Sequence, residues 1–259
     1  MLRFETVIIS DLHLGALNAR CQDVLEFLNS METERLIING DLFQDPKLRL
    51  LRDCDIEVLE ALRALQHEIR VDWLIGNHDP TERWLTALLD IEAQDELELD
   101  VDGRSYLVCH GHRWDRSLSW PTWLVGGAEA VYSACQWIDP SHRVAKFLKH
   151  KSKWFCRAVN TLKRHAIQAA HQGGYDGVIL GHTHVACDLV QDNVHYMNSG
   201  CWTEQPNGFV GIRDGVACTF QWRAGECVAL APLPEPMLDE SLVLEDELVG
   251  AEEPLVATA

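Results

Sequence analysis

"LIGNHDP" at residues 74–80 places Asn77, His78 and Asp79 directly after Gly76, where the apolar run "VDWLI" (71–75) ends. A plain turn after a strand needs only the Gly and the Asn. The imidazole and carboxylate that follow are groups that ligate cations or move protons, so this stretch reads as a buried strand whose carboxyl end carries chemistry.

The same arrangement recurs along the chain. "IISDLHL" (8–14) supplies Asp11 and His13, and "IINGDLF" (37–43) supplies Asp41. "LVCHGHRWD" (107–115) supplies His110 with His112 close by, and "VILGHTHV" (178–185) supplies His182 and His184. Each block alone is weak, because Gly-Asp after a strand is ordinarily a turn and Asp-x-His ordinarily a cap or a solvated pair. Together they are specific. In an α/β sheet, loops from distant parts of the sequence meet beyond the carboxyl ends of the strands. Five such loops deliver imidazole, carboxylate and one amide, a mixture that suits Mn²⁺, Fe or Zn²⁺ better than Ca²⁺. The i, i+2 spacing of Asp11/His13 and of His182/His184 points both side chains to one side if the local backbone is extended.

The surrounding elements fit that picture. "TVIIS", helical "QDVLEFLNSM", "RLIIN", helical "DIEVLEALRALQ", "VDWLI" and helical "ERWLTALLD" read as βαβ units. The later runs "LELDV", "SYLVC", "GVIL", "VHYMN", "FVGI" and "ACTFQW" are strands joined by short turns. The prediction is an α/β protein built as a four-layer α/β/β/α or similar sandwich rather than a purely doubly wound sheet. It spans residues 1–231, with a helical insertion at about 117–173 and an acidic, loosely ordered tail at 232–259. The insertion is unlike the rest of the chain. It clusters Trp120, Trp123, Trp137 and Trp154, and it carries eight Lys/Arg between Arg143 and Arg164 with no acid among them.

Composition narrows the function. The 259 residues have 47% apolar content and a formal net charge of −18, which argues against nucleic acid as a partner because phosphate is repelled at long range. Nine scattered cysteines without a CxxC pair match neither a disulfide framework nor a zinc ribbon, and they fit reduced thiols in the cytoplasm. No signal peptide and no run of ~20 apolar residues is legible. His67, His142, His150, His165, His171 and His195 lack the strand-end context and are read as surface or structural residues.

The order D-x-H, G-D, G-N-H-D, H-G, G-H-x-H resembles that of the calcineurin-like metallophosphoesterases, and the motifs span residues 11–184. The resemblance implies two divalent metal ions, Mn²⁺ foremost with Fe or Zn²⁺ as alternatives, bridged by one carboxylate. Carried over, Asp11, His13, Asp41 and His184 hold one metal, and Asp41, Asn77, His110 and His182 the other. His78 stays unligated as an acid or charge stabiliser, with Asp79 orienting it. Two metals lower the pKa of an attacking water and neutralise the phosphoryl oxygens during in-line attack.

"GGYDGVILGHTHVA", "VHYMNSGCWTE" and the basic, Trp-bearing segment are similar to the branch containing UDP-2,3-diacylglucosamine pyrophosphatase of lipid A synthesis. That likeness implies an anionic nucleotide-lipid substrate and a lid docked on the inner face of the inner membrane. Candidate substrate contacts are Arg113, Asp115, Trp123, Lys149, Lys153 and Arg157. The chain departs from that branch at His78, where the branch has Arg, and at "HGH" (110–112), where it has H-G-D. A soluble nucleotide phosphodiesterase or phosphomonoesterase is the alternative, and a non-catalytic scaffold of the same fold is a third reading.

Overall fold

The computed structural model describes residues 2–90, 92–115 and 153–230. Two sheets lie face to face. The first has the strand order β12-β11-β10-β1-β2-β3-β4. Its strands are β1 (Leu2–Ile9), β2 (Met31–Asn39), β3 (Arg70–Leu74), β4 (Ala93–Gln94), β10 (Asn207–Arg213), β11 (Val216–Arg223) and β12 (Glu226–Ala229). β1 to β4 are parallel, and β10 to β12 add on antiparallel beside β1. The second sheet has the order β5-β6-β7-β9-β8. It is formed by β5 (Glu96–Val101), β6 (Arg104–Cys109), β7 (Gly177–Leu180), β8 (Cys187–Gln191) and β9 (Val194–Asn198), with β6, β7 and β9 parallel.

Alternation along each strand builds the layers, because successive side chains point to opposite faces. Ile8, Ile37, Leu74, Val210 and Ile212 of the first sheet meet Leu99, Tyr106, Val108, Ile179 and Met197 of the second in one buried cluster. Their neighbours Val7, Ile9, Leu36, Ile38 and Trp73 face the other way. There they meet α1 (Cys21–Ser30), α2 (Asp53–Leu65) and α3 (Glu82–Leu89) through Val24, Phe27, Val58, Leu62 and Leu85. On the far side, Leu107, Val178, Leu180 and Tyr196 pack against α4 (Lys153–Gly173). The buried stripe Leu162, Ala166, Ile167 and Ala170 has helical spacing. The fold is thus the four-layer α/β/β/α sandwich that the alternating pattern predicts.

α4 refines one expectation. Its residues up to Gly173 fall inside the span read as an insertion, yet they form the outer layer of the second sheet. The long acid-free stretch hides this, because exposed Arg157 and the basic face of α4 continue the charge pattern that precedes them. Residues 116–152 and the tail from 231 lie outside the described residues. Among the described residues no helix is long and apolar enough to cross a membrane.

Candidate metal centre

Parallel strands end at the same edge, and in both sheets the ligand-type residues follow those ends. Asp11 follows β1, Asp41 follows β2 and Asn77 follows β3; His110 follows β6, and His182 and His184 follow β7. Backbone hydrogen bonds lock the loops to one another: Asp11 N–H to Gly40 O at 3.0 Å, His13 N–H to Asp41 O at 3.1 Å, and Gly181 N–H to His110 O at 3.2 Å.

The side chains do not reach the centre from extended backbone, as the i, i+2 spacing suggested. Asp11, His13, Asp41, His182 and His184 all have left-handed φ, between 48° and 65°. The chain leaves β1, β2 and β7 in tight left-handed steps, which non-glycine residues rarely adopt, Asn, Asp and His less rarely than the rest. Five such residues at one edge mark a site where geometry outweighs local preference. The glycines serve a different need. A Cβ on Gly40 would stand 2.5 Å from the His110 ring, and one on Gly76 would stand 2.2 Å from Asp41 Oδ1. Both positions must be bare for the loops to close.

Two groups of donors result. Asp11, His13 and His184 form one, and Asp41, His110 and His182 the other, each with its ligand atoms within 4.8 Å of one another. In the first, His13 Nε2 and His184 Nε2 are 3.0 Å apart, and Asp11 Oδ1 is 3.1 Å from His184 Nε2. Asp41 Oδ2 lies 3.2 Å from His110 Nε2 and 3.8 Å from His13 Nε2, so it stands between the groups. Asp11 Oδ1, Asn77 Oδ1 and His110 Nε2 are buried without a hydrogen-bond partner. Orphaned acceptors of this kind are costly unless something completes them. Carboxylate, amide oxygen and imidazole together make a donor set that fits divalent first-row metals.

The opposite side of each donor is already tied down. His110 Nδ1–H donates to Asn39 O at 2.8 Å, which turns Nε2 to the cluster as the atom a metal would take. Asp11 Oδ2 accepts from the Ser10 hydroxyl and from His182 N–H at 2.9 Å, so Oδ1 is the atom turned to the cluster. Ser10 is in turn 2.7 Å from the Ser199 hydroxyl. Burial would raise both carboxyls, but His184 and His110 beside Asp11, and His110 and His13 beside Asp41, hold them well below the usual carboxylate range. Burial disfavours charge on the rings as well, yet Asp41 and Asp11 lift His110 to about 9, and Asp11 lifts His184 to about 10. Protons thus occupy rings that a metal would require neutral. His112, pushed down to about 4 by burial and by His110 and His182, stays uncharged beside them.

Asp79 and His78 are arranged differently from the sequence reading. Asp79 does not orient the His78 ring; its oxygens accept from Gly76 N–H at 2.9 Å and Phe43 N–H at 3.0 Å. It is a buried clamp between two ligand loops, and burial and Asp41 push it up to about 6. The short βα loop folds the Asp side chain back onto its own turn. His78 instead donates from Nδ1 to Gln44 O at 3.1 Å, and its ring stands 5.1 Å from that of His13.

Of the candidate substrate contacts, Arg113 is bound to Glu96 and lies over the Trp114 ring at 4.5 Å, committed to the edge of the second sheet. Asp115 does reach the centre, with Oδ2 2.8 Å from His182 Nε2. Arg157 is exposed on α4. Trp123 and Lys149 lie outside the described residues, as does the side chain of Lys153. Ser10, Ser199 and the Asn39 carbonyl were not singled out from sequence. Only Ser10 left a trace there, by its position before Asp11.

Sheets joined at one edge by paired clusters of carboxylate and imidazole define a class of metal-binding hydrolases. The calcineurin-like phosphoesterase superfamily domain matches residues 4–213, well over half of the chain, and the protein belongs to that superfamily. It is a hydrolase acting on phosphoesters. A comparison with curated proteins finds no match. Among solved structures the chain is similar to Yfce, a phosphoesterase from E. coli, at 17% identity and a TM-score of 0.52, over 88% of this chain and 99% of that one. It is also similar to an archaeal phosphodiesterase (18% identity, TM-score 0.43, 87% and 99% covered). A single mutant of Vps29 from Entamoeba histolytica shares 17% identity, with a TM-score of 0.48 and the same coverage. The likeness to Yfce concerns the fold alone.

Proposed function

We propose that the protein hydrolyses a phosphodiester or pyrophosphate bond with two divalent metals, Mn²⁺ foremost, one in each donor group. The observation that carries this reading is Asp41 Oδ2 standing between the groups, with buried, unpartnered donor atoms on both sides of it. Asp11, His13 and His184 would hold one ion, and Asn77, His110 and His182 the other, with Asp41 shared. When bound, the metals supply Lewis acidity toward water and the phosphoryl oxygens.

The remaining work belongs to the chain. Asn39 O and the Ser10 hydroxyl fix which atoms of His110 and Asp11 face inward. His78 Nδ1–H is used on Gln44 O, so donation from Nε2 to the leaving oxygen requires the doubly protonated ring.

For the substrate, an anionic nucleotide-lipid with a diphosphate is the finer reading, hydrolysed to UMP and an acyl-sugar phosphate at the cytoplasmic membrane surface. Its support is the motif likeness in residues 173–204 and the acid-free basic run from Arg143 to Arg164. His78 and His112, which depart from the nucleotide-lipid branch, favour a second reading, a soluble nucleotide phosphodiesterase.

Hydrolysis of an acylated UDP-sugar and of a small chromogenic diester, each with Mn²⁺, separates the two. Reversing charge at Lys149, Lys151 and Lys153 is expected to slow the first and spare the second. No cleavage of the acylated substrate would sink the lipid reading. No cleavage of either, in protein loaded with two ions per chain, would sink the hydrolase mechanism.

A further inference from the structure

Away from the metal centre, a second group of thiol and carboxylate side chains joins the starts of α1 and α2. Cys21 is the first residue of α1 and is buried; Cys54 is the second residue of α2 and is half-buried. Their sulfurs and an oxygen of Asp55 all lie within 4.8 Å of one another. Donor atoms so placed invite comparison with a soft-metal site, but Asp55 is already saturated. It accepts from Arg52 Nε at 2.9 Å, Arg52 Nη2 at 3.0 Å, Arg52 N–H at 2.8 Å and the Gly15 N–H. The Cys21 thiol also donates to it at 3.0 Å, and Arg52 Nη2 approaches Cys21 Sγ at 3.5 Å. A cation added here would have to displace the guanidinium. What is left over is a pair of thiols.

We infer that Cys21 and Cys54 form a redox-active dithiol that a hydroperoxide converts to a disulfide across the α1–α2 junction. A disulfide needs Cα atoms about 4.4–6.8 Å apart and sulfurs about 2.05 Å apart. The two sulfurs stand within 4.8 Å of each other, so the bond requires them to approach further, and Cys54 is the less enclosed of the two. Cys54, the more accessible sulfur, meets the oxidant first. Its sulfur attacks the distal peroxide oxygen, the O–O bond breaks, and the departing alkoxide or hydroxide takes the thiol proton. This gives Cys54–SOH and an alcohol or water. Cys21 sulfur then attacks the sulfenic sulfur, and the hydroxyl leaves with the Cys21 proton as water. Two thiols lose two hydrogens in all, and the peroxide is the electron acceptor.

The bond would have a structural consequence. Cys21 would cease to donate to Asp55, the residue that also holds Gly15, two positions after His13. It would also close the covalent ring containing β2 and Asp41.

The test uses the full chain, reduced and then exposed to a small excess of hydrogen peroxide, alkylated and digested with trypsin. Residues 21–35 and 53–63 are separate tryptic peptides with one cysteine each. The expected product is these two peptides linked, two hydrogens lighter than their sum, and released by dithiothreitol. Cys21→Ser and Cys54→Ser each abolish the link. In the intact protein, oxidation raises the melting midpoint by roughly 4 °C or more, as ring closure constrains the unfolded chain. Cys54→Ser shows no such shift. Oxidation of Cys54 to sulfinic acid without a link would overturn the inference, as would a link through another cysteine at equal yield.

Discussion

The two sheets bring different chemistry to their shared edge. Of the residues in the two donor groups and Asn77, the seven-stranded sheet supplies Asp11, His13, Asp41 and Asn77, the carboxylates and the amide; the five-stranded sheet supplies the imidazoles His110, His182 and His184, with Asp115 held against His182. Each donor group draws from both: Asp11 and His13 need His184, and Asp41 needs His110 and His182. Neither sheet owns a complete group. The centre therefore exists only when the sandwich is closed, and the inter-sheet core around Ile8 and Met197 acts as part of the site.

The harshest way to break this partnership is to remove the residue between the groups. Asp41→Ala is expected to lower kcat on the order of 10⁴-fold, because several kcal/mol of charge stabilisation is lost and each 1.36 kcal/mol is tenfold. Metal content measured by elemental analysis should drop from two ions per chain, and an unchanged content would refute the bridge.

His78→Ala tests the seven-strand-side residue assigned acid chemistry and no ligand role. Turnover should fall about 10²–10³-fold with both metals retained; loss of metal would make His78 a ligand.

A pair of core variants compares the two faces of the seven-stranded sheet directly. Ile8→Ala empties space between the sheets and Phe27→Ala empties space under α1, each costing ~2–5 kcal/mol of stability. Only Ile8→Ala should also weaken Mn²⁺ binding by calorimetry. Equal weakening in both would show that sheet docking is not what couples fold to site.

Ser10→Ala removes one of the two bonds that aim Asp11, and should cost ~10–100-fold in metal affinity, with recovery in Ser10→Thr. An affinity equal to the wild type would mean that His182 N–H suffices.

The smallest effect concerns Asp55, which braces a loop of the seven-stranded sheet. Burial would raise its carboxyl, but Arg52 and Cys21 bring it down to about 2, below the unfolded value of ~3.9. Its stabilisation is therefore full above ~3.9 and fades as pH falls through about 2. Arg52→Met should flatten this acid limb, seen as a smaller drop in melting midpoint between pH 5 and pH 2.5. An unchanged drop would acquit Asp55.

Much of this comparison was legible in the sequence, and the reason is periodicity. Strands such as "TVIIS", "RLIIN" and "GVIL" announce themselves by apolar alternation or burial, and each ligand follows a strand end within one to four residues. β4 and β12 were not legible: two- and four-residue strands at a sheet edge carry no pattern of their own. β8 was missed because Asp188 interrupts its apolar run, although that carboxylate is buried against His195, which also meets the Tyr106 hydroxyl. His195 is the satisfied structural histidine that its context suggested. Partner choice was the harder matter. Asp79 could bond a neighbouring ring or its own turn, and only the fold of the loop decides for Gly76 and Phe43. The Asn39 carbonyl behind His110 is backbone and leaves no mark in residue type.

The left-handed residues at the sheet edge set two selective pressures against each other. A non-glycine residue held in that region costs on the order of 1–2 kcal/mol, less for Asn, Asp and His than for a β-branched residue. Selection for foldability alone would let His13, His182 and His184 drift to glycine, which relieves that strain at each step. Their persistence as histidine would then be a record of use. In a lineage that abandoned metal chemistry while keeping the fold, these three positions should be the first to decay, and toward glycine or asparagine before any β-branched residue.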